Sequence, residues 1–252
     1  MIDHSMYDTD MSTSAQTTGG RQKGYRGLPM EGIVARRYAR LRRSESQIEQ
    51  WRTDASRLTR DLPDGAGVLE VAPGPGYFEI EVARLGRFRV TGLDISHSFV
   101  EIAGENARLA GVSVDFRQGD AAHMPFADGS FDLIVCQAAF KNFSEPVRAL
   151  DEMHRVLRPG GTAVIQDMRH EATAFDIDQE IARMQLGRLN TFMTRITLRV
   201  LRLRAFSRTQ FERLAVQSAF GSCDVQADGM SIEVRLAKKP RGLGETARPH
   251  RE

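Results

Sequence analysis

Cysteine is almost missing: Cys136 and Cys223 are the two among 252 residues. That scarcity excludes a disulfide framework and a cysteine-rich zinc site, and a reducing, cytoplasmic setting is the simplest reading. No run of about 18 uncharged apolar residues occurs, so no segment reads as a membrane-crossing helix. An excess of one charge sign is also missing. The 35 basic and 33 acidic side chains leave a net charge of +2, and no global field draws the chain to nucleic acid. The opening MIDHSMYDTDMSTSAQ lacks the basic-then-apolar layout of a secretory signal. No cluster of carboxylates stands out as a metal-ligand set, so no metal is expected.

What is present is an alternation of short apolar runs with helical periodicity, the pattern of a parallel sheet wrapped by helices. Residues 1–24, rich in Ser, Thr, Gly and Asp, read as a disordered leader, and 238–252 as a flexible tail. Between them, 25–237 reads as a single α/β domain. It has N-terminal helices over 30–62, a core over 65–168, a helical lid over 173–204, and a helix plus hairpin over 207–237. Strands are expected at Val68–Ala72, Phe88–Leu93, Val112–Arg117, Phe131–Cys136 and Thr162–Gln166. Ser98 with Glu101, and Ser207 with Gln210, read as capping boxes opening helices. Asp228-Gly229 is a hairpin turn between two final strands, so the sheet ends in an antiparallel pair, unlike the all-parallel sheet usual in nicotinamide-binding domains.

The chemistry lies at the strand ends. The first strand runs into Glu70-Val71-Ala72-Pro73-Gly74-Pro75-Gly76. Glycines there permit a tight turn and close approach of a ligand, and the following helix N-terminus offers free N–H groups. A Gly-x-Gly turn alone is equally a plain structural turn. Asp94, 18 residues past Gly76, ends the second strand, where a carboxylate can accept from both hydroxyls of a ribose. Asp120 follows the third strand, and with the Ala121 N–H it can read an adenine edge. Open α/β sheets bind ligands at this carboxyl edge. Glu79 occupies the place where a dinucleotide site wants a third small residue, and no Gly-Lys-Ser/Thr follows the turn.

Taken together, VLEVAPGPGYFEIEVARLG, VTGLDIS, GDAAHMPFADGSFDLIVCQAAF and RVLRPGG resemble the successive motifs of the class I S-adenosylmethionine-dependent methyltransferases. The similarity covers roughly residues 65–168. It is strongest to the branch containing the ubiquinone- and menaquinone-biosynthesis enzymes. Ala72 departs from the pattern, standing where the family has its first glycine. The resemblance implies a Rossmann-like, seven-stranded, mostly parallel sheet and S-adenosylmethionine as cofactor. It implies that the turn from Glu70 through Ala72, Pro73, Gly74 and Gly76 holds the methionine part and Asp94 the ribose. Ile95 covers the adenine face, Asp120 and Ala121 read its edge, Gln137 lies near the methyl group, and Tyr38 caps the site.

No family-wide catalytic residue exists to carry over. His123, Lys141 and Asn142 are candidates near the methyl position, with a loop histidine and a solvated lysine the favoured readings of the first two. Phe140, Lys141, Asn142, Met184 and Phe192 are expected to border the substrate pocket. Gln137-Ala138-Ala139-Phe140 replaces the Asn/Asp-Pro-Pro-aromatic segment of nucleic-acid amino-methylating enzymes, which favours a small organic substrate. An RNA or protein substrate, a non-methylating use of the cofactor and a nicotinamide oxidoreductase stay open as alternatives. Within the lid, Phe192, Met193, Ile196, Val200 and Leu203 share one face and Arg188, Arg195, Arg199 and Arg202 another. The expectation is a docked lid with a solvated arginine face; contact of that helix with an anionic membrane is the alternative.

Overall fold

A computed structural model describes residues 24–26, 30–42, 45–184 and 188–240. The expected leader, apart from Gly24, and the tail beyond residue 240 lie outside these. Lys238, expected in the tail, belongs to the sheet instead. Its amide donates to Gly161 O, its carbonyl accepts from Gly160 N, and its ammonium bonds His154 O and Leu157 O.

Two helices, α1 (Gly32–Leu41) and α2 (Glu45–Thr59), precede β1 (Gly67–Val71), α3 (Tyr77–Arg84), β2 (Arg89–Asp94), α4 (His97–Ala110) and β3 (Asp115–Gln118). Then come β4 (Phe131–Gln137), a short 3-10 turn at Phe140–Asn142, α5 (Pro146–Val156) and β5 (Leu157–Met168). The chain closes with α6 (Ala174–Arg183), α7 (Arg188–Arg202), α8 (Arg208–Gln217), β6 (Asp224–Asp228) and β7 (Ser231–Ala237). The seven strands lie in the order β3-β2-β1-β4-β5-β7-β6. All neighbours pair in parallel except β5–β7 and β6–β7. The antiparallel hairpin expected from the sequence is therefore present, with β7 inserted between β5 and β6.

Central strands covered on both faces read as continuous apolar runs, because each face has its own core. Leu69, Val71, Ile134, Cys136 and Ile165 pack on the side of α5 and α8. Val68, Leu133, Val135 and Val164 pack on the side of α2 and α3. Among the described residues no helix is long and apolar enough to cross a membrane.

Three local expectations are corrected. The N-cap of α4 is Ser96, whose hydroxyl accepts from Phe99 N, while the Ser98 hydroxyl accepts from Gly32 N. Glu31 adds a second cap by taking the His97 and Ser98 amides on its two carboxylate oxygens, at 3.0 Å each. β5 is longer than expected, because the Pro159-Gly160-Gly161 turn is itself spliced into the ladder at an irregularity opposite Phe131–Leu133. The lid is two helices, and α7 sits opposite to expectation. Its apolar side faces out, with Phe192 57%, Met193 55%, Ile196 45%, Val200 52% and Leu203 68% exposed. Arg195 pairs with Asp178 at 2.8 Å and Arg202 donates to Ala172 O, so two of the four arginines are tied to the protein.

Candidate functional site

The carboxyl ends of β1, β2 and β3 are neighbours in the sheet, and the turn after β1 is bound directly to the end of β2. Ala72 N donates to Leu93 O at 2.8 Å, and Gly74 N donates to Asp94 Oδ2 at 3.0 Å. Asp94 Oδ1 takes the Ser96 amide at 2.8 Å. This carboxylate thus knits the turn to the start of α4. It is buried, and burial pushes it up to about 6, against the lowering effect of the Ser96, Gly74 and Ile95 amides.

Gly76 caps α3 in the left-handed region at φ 77°. A Cβ there would stand 2.7 Å from Phe116 Cζ and 2.8 Å from Ala103 Cβ, so backbone conformation and space both demand glycine. Gly74 is open by contrast. Its Cβ would meet Tyr38 and Phe99 only at 4.0 Å, leaving Tyr38 poised beside the turn. Ala72 also has positive φ, at 61°, as does Ala138 after β4, at 55°. Alanine in that region costs about 1–2 kcal/mol, and backbone strain of this kind clusters at functional sites. Ala72→Gly relieves the strain but adds about 0.5–1 kcal/mol of chain entropy loss. The expected net effect is a gain of about 0.5–1 kcal/mol in urea unfolding; a loss would mean the Ala72 methyl is needed for packing.

Beside β3, Ile95, Gln118, Gly119, Asp120 and His123 line an open groove of about 570 Å³. Asp120 Oδ1 holds the Ala122 amide at 2.9 Å, and His123 Nδ1 lies 3.8 Å from Asp120 Oδ2. His123 therefore belongs to the Asp120 groove, not to the far end of the crevice where the sequence put it.

At the end of β4, Gln137 Nε2 donates to Gln166 Oε1, Gln166 Nε2 to Glu233 Oε2, and Glu233 pairs with Arg57 at 3.0 Å. This polar line crosses from α2 through the hairpin to the crevice. Gln137 Oε1 is buried and has no partner among the described residues, an acceptor waiting for a donor.

Several expected pocket residues are elsewhere. Phe140 is fully buried in an aromatic cluster with Phe143, Phe206 and Phe211, which makes it core. Lys141 is neither solvated nor free for a substrate. It is buried, bonds the Ala138 carbonyl, and pairs at 2.7 Å with Asp167, whose other oxygen accepts the Lys141 amide. Phe192 faces solvent on α7, and Met184 caps α6; neither joins the group around Asp94. The Asn142 carbonyl accepts the Arg26 amide at 2.8 Å. The sequence reading missed Gly24, Tyr25 and Glu31, which lack any motif and reach the site from far away in the chain.

Beneath the turn, Glu70 and Glu79 are buried. Among the described residues, Glu70 Oε2 and both Glu79 oxygens have no partner apart from each other. Burial, then the charge of Glu79, holds Glu70 well above the usual carboxylate range, and burial pushes Glu79 up to about 7. A carboxyl with a raised folded pKa keeps a proton that the unfolded chain has released. Its contribution to stability is present below its ordinary 4.5 and is lost as pH rises toward 7. Glu79→Gln should flatten that loss and stabilise the protein at pH 8 by on the order of 2 kcal/mol. Equal stability of the two proteins across pH 5–8 would show that the pair is not under this strain.

Comparison with known proteins agrees with this geometry. Residues 69–165 match a family described as a methyltransferase domain. A demethylmenaquinone methyltransferase from Deinococcus radiodurans is 38% identical over 99 residues, 39% of this chain and 41% of that protein. The chain thus matches less than half the length of that relative. A SAM-dependent methyltransferase from Aquifex aeolicus shares the fold, with a TM-score of 0.60 at 18% identity over 80% of this chain and 97% of that one. The [4+2]-cyclase SpnF shares it too, with a TM-score of 0.52 at 21% identity over 79% and 85%.

Proposed function

We propose, from the match of residues 69–165 to a methyltransferase domain, that this chain binds S-adenosylmethionine and methylates a small organic acceptor. The observation that carries the reading is the bond from Gly74 N to Asp94 Oδ2, which sets a carboxylate and a glycine turn side by side beneath the Asp120 groove. The Asp94 carboxylate, fixed by the Ser96 and Gly74 amides, would serve as the acceptor for the ribose hydroxyls. The unpartnered Gln137 Oε1 suits the ammonium of the methionine part. Ile95 would cover adenine, with Asp120 and the Ala121 amide at its edge, and Ala72, Pro73 and Gly74 along the methionine chain. Glu70 supports the turn from below, its carboxyl being turned into the buried pair with Glu79.

When bound, the cofactor supplies a sulfonium-activated methyl group and leaves as S-adenosylhomocysteine. The chain's share of the work is alignment and exclusion of water, worth several orders of magnitude in rate when the reacting atoms are held in line. Tyr38 beside Gly74 is placed to shield that end of the crevice. A dinucleotide is disfavoured because Glu79, wholly buried, fills the position that needs a small residue.

The name of the Deinococcus relative supports a quinone-type acceptor. The outward apolar side of α7, joined by exposed Phe175 (68%) and flanked by exposed Arg199, supports peripheral contact with an anionic membrane. Vesicles containing anionic lipid should co-sediment the protein at low salt and release it as salt rises; no co-sedimentation at low salt would remove the membrane contact. The cofactor reading is tested by calorimetry with S-adenosylmethionine, S-adenosylhomocysteine and NADH. Binding of both sulfur compounds is expected, and binding of NADH alone would overturn it. Cofactor binding without methyl transfer to any of a panel of quinols and phenols would remove the quinone-type acceptor.

A further inference from the structure

Residues 24–26 run across the mouth of the crevice, between the residues assigned to adenine and the segment after β4. Gly24 packs so closely that a Cβ on it would stand 2.7 Å from Asp120 Oδ2 and 2.9 Å from Ile95 Cδ1. Its φ of +96° is a second demand for glycine. The strap is latched at its other side. Ser144 N donates to Gly24 O at 3.2 Å, Arg26 N to Asn142 O at 2.8 Å, and the Arg26 guanidinium to Ser144 O at 3.1 Å. Tyr25 bridges to Phe143 in antiparallel register, and its half-buried phenol feels both Tyr38 and Asp94. With the strap in place Asp94 is 5% exposed, too little for a ribose to reach it.

We propose that Gly24–Arg26 is a built-in gate lying between the Asp120 groove and Asp94, so that the cofactor's ribose reaches its carboxylate only when the strap leaves. The inference rests on the cofactor reading above and adds a control to that site. Three hydrogen bonds, two of them at the exposed Arg26, form a latch that local opening can release without unfolding the sheet. While the strap is shut the binding-competent fraction is small, and the apparent affinity falls in the same proportion.

The test uses the full chain and Gly24→Val, a β-branched residue strained at the φ of +96° that the shut strap requires, so that the shut state is disfavoured. By stopped-flow and calorimetry with S-adenosylhomocysteine, the variant should bind at least tenfold faster and correspondingly tighter than the wild type. A second measurement needs no variant. In hydrogen exchange on the wild type, saturating S-adenosylhomocysteine should speed exchange of the Arg26 and Ser144 amides. Weaker binding by Gly24→Val with faster dissociation, or slower exchange at those amides, would overturn the gate and make the strap a lid over bound cofactor. Equal rates for the two proteins would also remove the gate while leaving the cofactor reading intact. No binding by either protein would remove the cofactor reading, and the gate with it.

Discussion

Lys141→Met should destabilise the protein by about 3–5 kcal/mol, the cost of leaving one half of a buried ion pair alone. The side chains of Lys141 and Asp167 are 6% and 2% exposed, so water cannot replace the lost ammonium. Asp167 would keep only the Lys141 and Met168 amides as donors. Because both charges are the problem, removing the second should recover much of the loss. Lys141→Met with Asp167→Asn is expected to unfold in urea at a midpoint between those of the single variant and the wild type. A single variant within about 1 kcal/mol of wild type would mean that Asp167 relaxes toward solvent. The pair joins the turn after β4 to the end of β5, so its loss should also loosen the segment on which the strap is latched.

Asp94→Ala is expected to weaken S-adenosylhomocysteine binding by about 10- to 150-fold, the equivalent of 1.5–3 kcal/mol for hydrogen bonds to a charged acceptor. The same carboxylate holds the Gly74 and Ser96 amides, so affinity must be separated from folding. The pH dependence does so. Asp94 is pushed up to about 6 by burial, and the ionised form is the better acceptor for ribose hydroxyls. Wild-type affinity should therefore rise as pH passes upward through about 6, while Asp94→Asn should show a flat profile. A wild-type profile flat from pH 5 to 8 would sink the assignment of Asp94 to the ribose.

Local signals carried most of the architecture. The strands at β1, β4 and β7 were legible because apolar runs and turn dipeptides lie within a few residues of one another, and the Ser207–Gln210 capping box is a four-residue pattern. Shifts arose where two equivalent groups compete, as at Ser96 and Ser98, either of which could have capped α4. The site was legible as far as it is built from strand ends in sequence order, which is why Ala72, Gly74, Asp94 and Asp120 come together. What stayed hidden depends on distant partners. Lys141 reads as a surface lysine until Asp167, 26 residues on, is brought beside it. An amphipathic helix such as α7 has two faces, and nothing local says which one turns inward. Gly24 and Glu31 are single residues whose roles exist only through contacts 66 or more residues away.

The polar line from Arg57 through Glu233 and Gln166 to Gln137 gives the terminal hairpin a second duty. β7 joins β5 to the edge strand β6, but through Glu233 and Gln166 it also orients the Gln137 amide. A chimera that took its hairpin from another protein could restore every main-chain bond of that edge and still leave Gln137 free to rotate. The last strand therefore carries part of the recognition code as well as a share of the scaffold, and exchanging it would reset a rotamer two strands away in the sheet.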